Sequence, residues 1–215
     1  EQTYTVEPVQ DGEREVTLRR VGDVQALDVV YHVCSGAHED AAPLDVMTSV
    51  LTADQTGRLY KALVETQLAT RVMAFANTER EPGYLEIIVE VRKEKPVDQV
   101  RKILLEVVEG LAKTEITADE VDRAKNEFIK RFDLFFNDSG RVAVRLSESA
   151  ATGDWRLMFL HRDRMKKVTP ADVKRVAAAY LKSSNRTLGM FLPTAADQIE
   201  RTDPDVGVLG FPESA

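Results

Sequence analysis

Three neighbouring residues have side chains suited to metal or thiol chemistry: His32, Cys34 and His38. In an extended segment His32 and Cys34 point to the same face, and imidazole and thiolate are good zinc ligands. His38 falls instead in a loop beside Glu39 and Asp40, and no fourth ligand follows at a zinc spacing. Cys34 therefore reads as a small core residue. A second pair, Glu120 and Glu127, stands seven residues apart, two turns along one helix face. Without histidines beside them, these carboxylates read as part of a salt-bridged stripe with Arg123, Lys125 and Lys130. His161, in a charged run, reads as a surface residue, and Trp155 as a packing anchor. The chain contains no nucleophile elbow, no phosphate-binding glycine loop and no C-x-x-C pair.

The segment from residue 43 to 77 has the layout of an active-site unit but lacks residues that do chemistry. It reads as a helix over 43–51, a small-residue break, a second helix over 56–65, and a strand. Before it, alternation at Val16 and Leu18 predicts a half-buried strand over 15–21, and the apolar run 26–34 a central strand packed on both sides. After it come strands over 69–78 and 84–92, joined at Glu81-Pro82-Gly83 as a hairpin. Pro96 then opens a helix whose buried face is Val97, Val100, Leu104, Val107, Val108 and Leu111.

Thr117 and Glu120 form a capping box for the next helix, and helices continue over 139–152 and 155–168. Thr169 and Pro170 start a last helix, and residues 186–192 a closing strand. Strands first, then a run of helices, then one strand: this order predicts an α+β two-layer sandwich, a mainly antiparallel sheet with helices on one face. Residues 1–14 read as a linker and 195–215, rich in Pro, Gly and acids, as a linker or tail, leaving 15–194 as the domain.

At 215 residues the chain is long enough for a sizeable core. Its net charge of −7 opposes capture of nucleic acid or anionic membranes, and no apolar run approaches the roughly 18 residues of a membrane span. One cysteine gives no vote on redox compartment. The chain begins at Glu1 rather than Met, which suggests a piece of a longer protein with any targeting signal upstream.

The run Gly57-Arg58-Leu59-Tyr60-Lys61-Ala62-Leu63-Val64-Glu65 resembles the S-R-L-F-x-x-L-R-E segment of the insulinase and pitrilysin zinc metallopeptidases, which include the mitochondrial processing peptidases. Gly153-Asp154-Trp155 is similar to the family's G-x-W turn, and Thr169 through Leu181 to its T-x-x-D-V-x-x-V-A-x-x-Y-L helix. The helix from Thr117 to Phe132 and the final strand from Asn185 to Pro193 agree with it, so the likeness runs from about residue 13 to 194 in order. It implies the mitochondrial-processing-peptidase-like fold. The family pairs a zinc-bearing copy, with H-x-x-E-H on a helix, and a zinc-free copy around a peptide chamber. In the H-x-x-E-H motif two imidazoles one turn apart hold the ion and the glutamate between them activates water.

The resemblance places Asp45 and Ser49 at the histidine positions, Thr48 at the base, and Glu127 at about the third-ligand distance. It therefore implies a zinc-free copy with no catalytic residue, no metal and no cofactor of its own, zinc being expected in the partner domain. Some zinc-free copies supply an Arg and a Tyr seven apart; here Leu63 and Thr70 stand there, with Arg71 a displaced candidate. The expected role is to close the chamber opposite the zinc domain, in the same polypeptide or a partner subunit. Extended peptide would bind along Arg71, Val72, Met73, Ala74, Phe75, Ala76 and Asn77. The parent protein would be a periplasmic or secreted bacterial peptidase; the alternative is a scaffold subunit with no proteolytic partner.

Overall fold

The structure, a computed structural model, describes residues 9–194. Five strands make one sheet: β1 (Arg14–Val21), β2 (Gln25–Val33), β3 (Ala69–Asn77), β4 (Gly83–Val91) and β5 (Arg186–Thr194), in the order β1-β5-β2-β4-β3. Only β1 and β5 run parallel; β5–β2, β2–β4 and β4–β3 are antiparallel. The helices are α1 (Ala41–Thr52), α2 (Val97–Gly110), α3 (Ala118–Phe135), α4 (Ser139–Thr152), α5 (Leu157–Lys167) and α6 (Pro170–Tyr180). Alternation along the central strands shows on which side the core lies. Leu27, Val29, Tyr31 and Val33 of β2 and Leu85, Ile87, Val89 and Val91 of β4 are buried under α1, α2 and α6, while the residues between them stay partly exposed. This is the α+β two-layer arrangement the element order predicts.

Two strands differ from expectation. β2 is covered on one face only, because its helices form a single layer and its continuous apolar run includes part-exposed Ala26 and Val30. β1 is exposed along its whole length rather than half-buried, Val16 and Leu18 included. As an edge strand it meets α2 through Arg101, whose guanidinium lies 2.7 Å from Glu15, and not through apolar packing.

Residues 9–13, on the stretch read as linker, are tied to the sheet. The Gln10 amide donates to the Arg186 carbonyl and the Gly12 carbonyl, its oxygen meets His32 Nε2 at 3.1 Å, and Glu13 pairs with the buried Arg186 guanidinium at 2.6 Å. The acidic tail, 195–215, and residues 1–8 lie outside the described residues.

The capping box of α3 forms as read, and the Thr169 cap of α6 proves to be a box as well: Thr117 and Thr169 accept from the third amide of each helix, and Glu120 and Asp172 close back on the cap. The second helix of the 43–77 unit is instead a single wide turn, Tyr60–Val64, with bonds from Glu65 N to Tyr60 O and from Leu68 N to Leu63 O. Gly57 permits this turn to sit against α1, since a Cβ there would lie 2.6 Å from the Ala53 nitrogen. Gly83 serves the hairpin in the same way, under the Asn77 carbonyl.

Candidate functional site: a core helix beside an edge strand

Eight of the twelve residues of α1 are buried, so the helix is fixed by apolar packing on nearly every side. Asp45, Thr48 and Ser49, at i, i+3 and i+4, share the remaining face and are partly exposed, under α3 and α5. The Thr48 hydroxyl donates to the Asp45 carbonyl at 2.8 Å, so it is occupied by the backbone. Asp45 Oδ2 stands 2.8 Å from His161 Nε2.

His161 is thus not the surface residue its charged neighbours suggest; its side chain is only 20% exposed and its ring packs edge-on against Phe128 at 5.6 Å. The sequence signal was available. Met158, His161 and Met165 recur at three and four residues, the inward stripe of α5, and both methionines are buried.

Glu127, on α3, is more than half exposed and lies 3.5 Å from Arg131. Glu120, on the same helix, is paired outside the expected stripe, with Arg58. Arg58 Nε meets Glu120 Oε1 at 2.8 Å, and the same guanidinium donates to Thr114 Oγ1 and to the Glu115 carbonyl. Hydrogen bonding from Arg58, against some burial and with help from Thr117, holds the Glu120 carboxyl down at about 2. Of the cations assigned to that stripe, Lys125 pairs with Asp122. One imidazole and one carboxylate do not make a zinc site, and among the described residues no group of three or more His, Cys, Asp or Glu is placed to hold a metal.

His32, Cys34 and His38 do not converge either. His32 meets Gln10, and the His38 Nδ1 accepts the Asp40 amide. Burial pushes the Cys34 thiol up, against a hydrogen bond with Tyr180, so it remains protonated at neutral pH. Tyr180 in turn donates to Asp40 at 2.8 Å; burial raises the Asp40 carboxyl, but Arg175, 2.7 Å away, and Tyr180 outweigh it.

β3 forms one edge of the sheet, lying under α1, and bonds to β4 on its other side only. The register aligns Arg71, Met73, Phe75 and Asn77 with Glu90, Ile88, Glu86 and Tyr84, the residues that alternate with the buried side of β4. These four β3 side chains therefore lie on the sheet's helix-free face, and Val72, Ala74 and Ala76 on the helix side. Of the two positions for the Arg/Tyr pair, Leu63 is fully buried and Thr70 is exposed, donating weakly to the Glu90 carbonyl.

Sequence reading missed a ridge of aromatic rings. Phe128, Phe132, Phe135, Phe136 and Phe159 form a chain of ring contacts at 5.1–6.5 Å that ends on Trp155. Arg162 lies over Phe132 and Phe159, and Arg141 over Phe135. Trp155 is not a buried anchor: it is 53% exposed, because α4 packs mainly on α5 and leaves the ridge uncovered.

The five-stranded sheet under a single layer of helices is shared with known proteins. The sequence model of the peptidase M16 inactive domain matches residues 1–128, and the chain belongs to that family.

Two solved structures come from proteins assigned as zinc proteases. An inactive peptidase domain from Bordetella parapertussis is 35% identical, with TM-score 0.76 over 84% of this chain and 99% of that one. A protein from Bordetella pertussis is 32% identical, with TM-score 0.74 over 80% and 96%. A protease from Helicobacter pylori, 22% identical, shares the fold with TM-score 0.84 over 90% of this chain but only 47% of its own. No curated protein matches the chain.

Proposed function

We propose that this chain is the non-catalytic half of a peptide chamber, paired with a zinc-bearing domain in the same polypeptide or in a partner subunit, and that it binds extended substrate along residues 71–77. Zinc-dependent proteolysis would belong to the parent protein, and a periplasmic or secreted location fits a bacterial peptidase of this kind. The observation that carries the reading is the edge position of β3, which pairs with β4 on one side only and lies against α1. Backbone N–H and C=O groups on a sheet edge accept an added strand without regard to most side chains, which suits a chamber that handles many peptides. The Helicobacter pylori protease is about twice the length of this unit, which supports a companion domain.

Amide hydrogen exchange tests the peptide site. An unstructured peptide at saturating concentration is expected to slow exchange in residues 71–77, and the same peptide N-methylated at alternate residues is expected to lose the effect. Protection confined to other elements would overturn the reading.

A further inference from the structure

The β3 edge also carries side-chain information. Its helix-free face presents, in order, a cation, two apolar side chains and an amide: Arg71, Met73, Phe75 and Asn77. Phe75 is 48% exposed, unusually open for a phenylalanine. Arg71 is exposed as well, and its guanidinium has no hydrogen bond or ion pair among the described residues. Its cross-strand neighbour Glu90 does not pair with it; the Thr70 hydroxyl donates to that carboxylate, at 3.4 Å, and to the Glu90 carbonyl. The other acidic group on this stretch of β4, Glu86, stands directly opposite Phe75 and interacts diagonally with Asp28 of β2.

A strand added to the free edge places every second side chain directly beside one of these four, roughly 4.5–5.5 Å away. We propose that the edge selects extended peptides in which a carboxylate stands opposite Arg71 and bulky apolar side chains, at spacing two, stand opposite Met73 and Phe75. Asn77 offers a neutral amide donor at the far end. The selected substrate class is an acidic-x-apolar-x-apolar segment, read in either chain direction. The two intervening residues stand beside Val72 and Ala74 on the helix side of the strand.

This inference rests on the strand-addition reading above, and the test separates the two. The symmetric peptide Glu-Thr-Leu-Thr-Leu-Thr-Glu presents the pattern in both directions; its counterparts replace both Glu by Lys, or both Leu by Ser. Fluorescence anisotropy with labelled peptides and the 215-residue chain is expected to show the Glu peptide binding about fivefold tighter than the Lys peptide, the scale of a surface ion pair gained against one repelled. The Ser peptide is expected to bind about tenfold more weakly, two partly covered leucines being lost. Arg71→Glu, at an exposed position that folding does not need, is expected to reverse the Glu and Lys order. If the peptides bind equally well and Arg71→Glu leaves their order unchanged, the side-chain selection is wrong while strand addition stands. If none binds, both fall.

Discussion

At the scale of single residues, the partly exposed face of α1 is tied to α5 by one contact. Asp45 is anchored by His161, joining α1 to α5, so His161→Ala is expected to lower stability by about 1 kcal/mol in urea denaturation, the carboxylate being open enough to rehydrate. Calorimetric titration with zinc is expected to show no tight stoichiometric site. Arg58→Met removes the partner that holds Glu120 low. Because that carboxyl is depressed in the folded protein, the stabilisation is present above pH 4.5 and is lost as pH falls toward about 2. The variant is expected to lose roughly 1–2 kcal/mol at pH 7, after allowance for solvent screening, and less at pH 3.

Asp28 behaves oppositely. Burial first, then Glu86, raises its carboxyl to about 6. The folded protein therefore favours the protonated form, and this contribution, complete below the ordinary carboxylate pKa near 3.8, disappears as pH rises through 6. Asp28→Asn is expected to flatten the fall in stability between pH 4 and 7, by on the order of 1 kcal/mol.

The residue identities at Asp45, Thr48 and Ser49 were legible in the sequence. The partners were not. Asp45 and His161 lie 116 residues apart and Arg58 and Glu120 lie 62 apart, and only packing of α1, α3 and α5 brings them together.

Among the elements, α1 and α4 mark the extremes. Nearly every side of α1 is buried, whereas Ser149 is the one buried residue of α4. Amide exchange is expected to be slowest in α1 and among the fastest of the helices in α4, where few buried contacts oppose local opening. Comparable protection in the two helices would contradict this account. Helix boundaries were readable where local chemistry sets them, as at the Thr117 and Thr169 boxes and at Pro170. Strand exposure was not, because alternation in β1 looks the same whether or not a helix lies beneath it. The wide turn at Tyr60–Val64 was hidden for a related reason: Leu59 and Leu63 fit a regular helical spacing, and only contact with α1 through Gly57 shows the different winding.

For the whole molecule, one layer of helices lies on one face of the sheet, and among the described residues no helix or further strand covers the other face or either edge. The chain alone is expected to leave unstructured peptides intact in a mass-spectrometric assay, and cleavage is expected only when a zinc-bearing domain is supplied. Cleavage by the chain alone, unaffected by chelator, would sink that division of labour.

The aromatic ridge gives the molecule an optical property. Trp155 is the single tryptophan, it is half exposed, and it abuts Phe159 at the end of the ridge. Its emission reports on the surface of α3, α4 and α5 alone, red-shifted while that surface meets water and moving to the blue when a protein covers it.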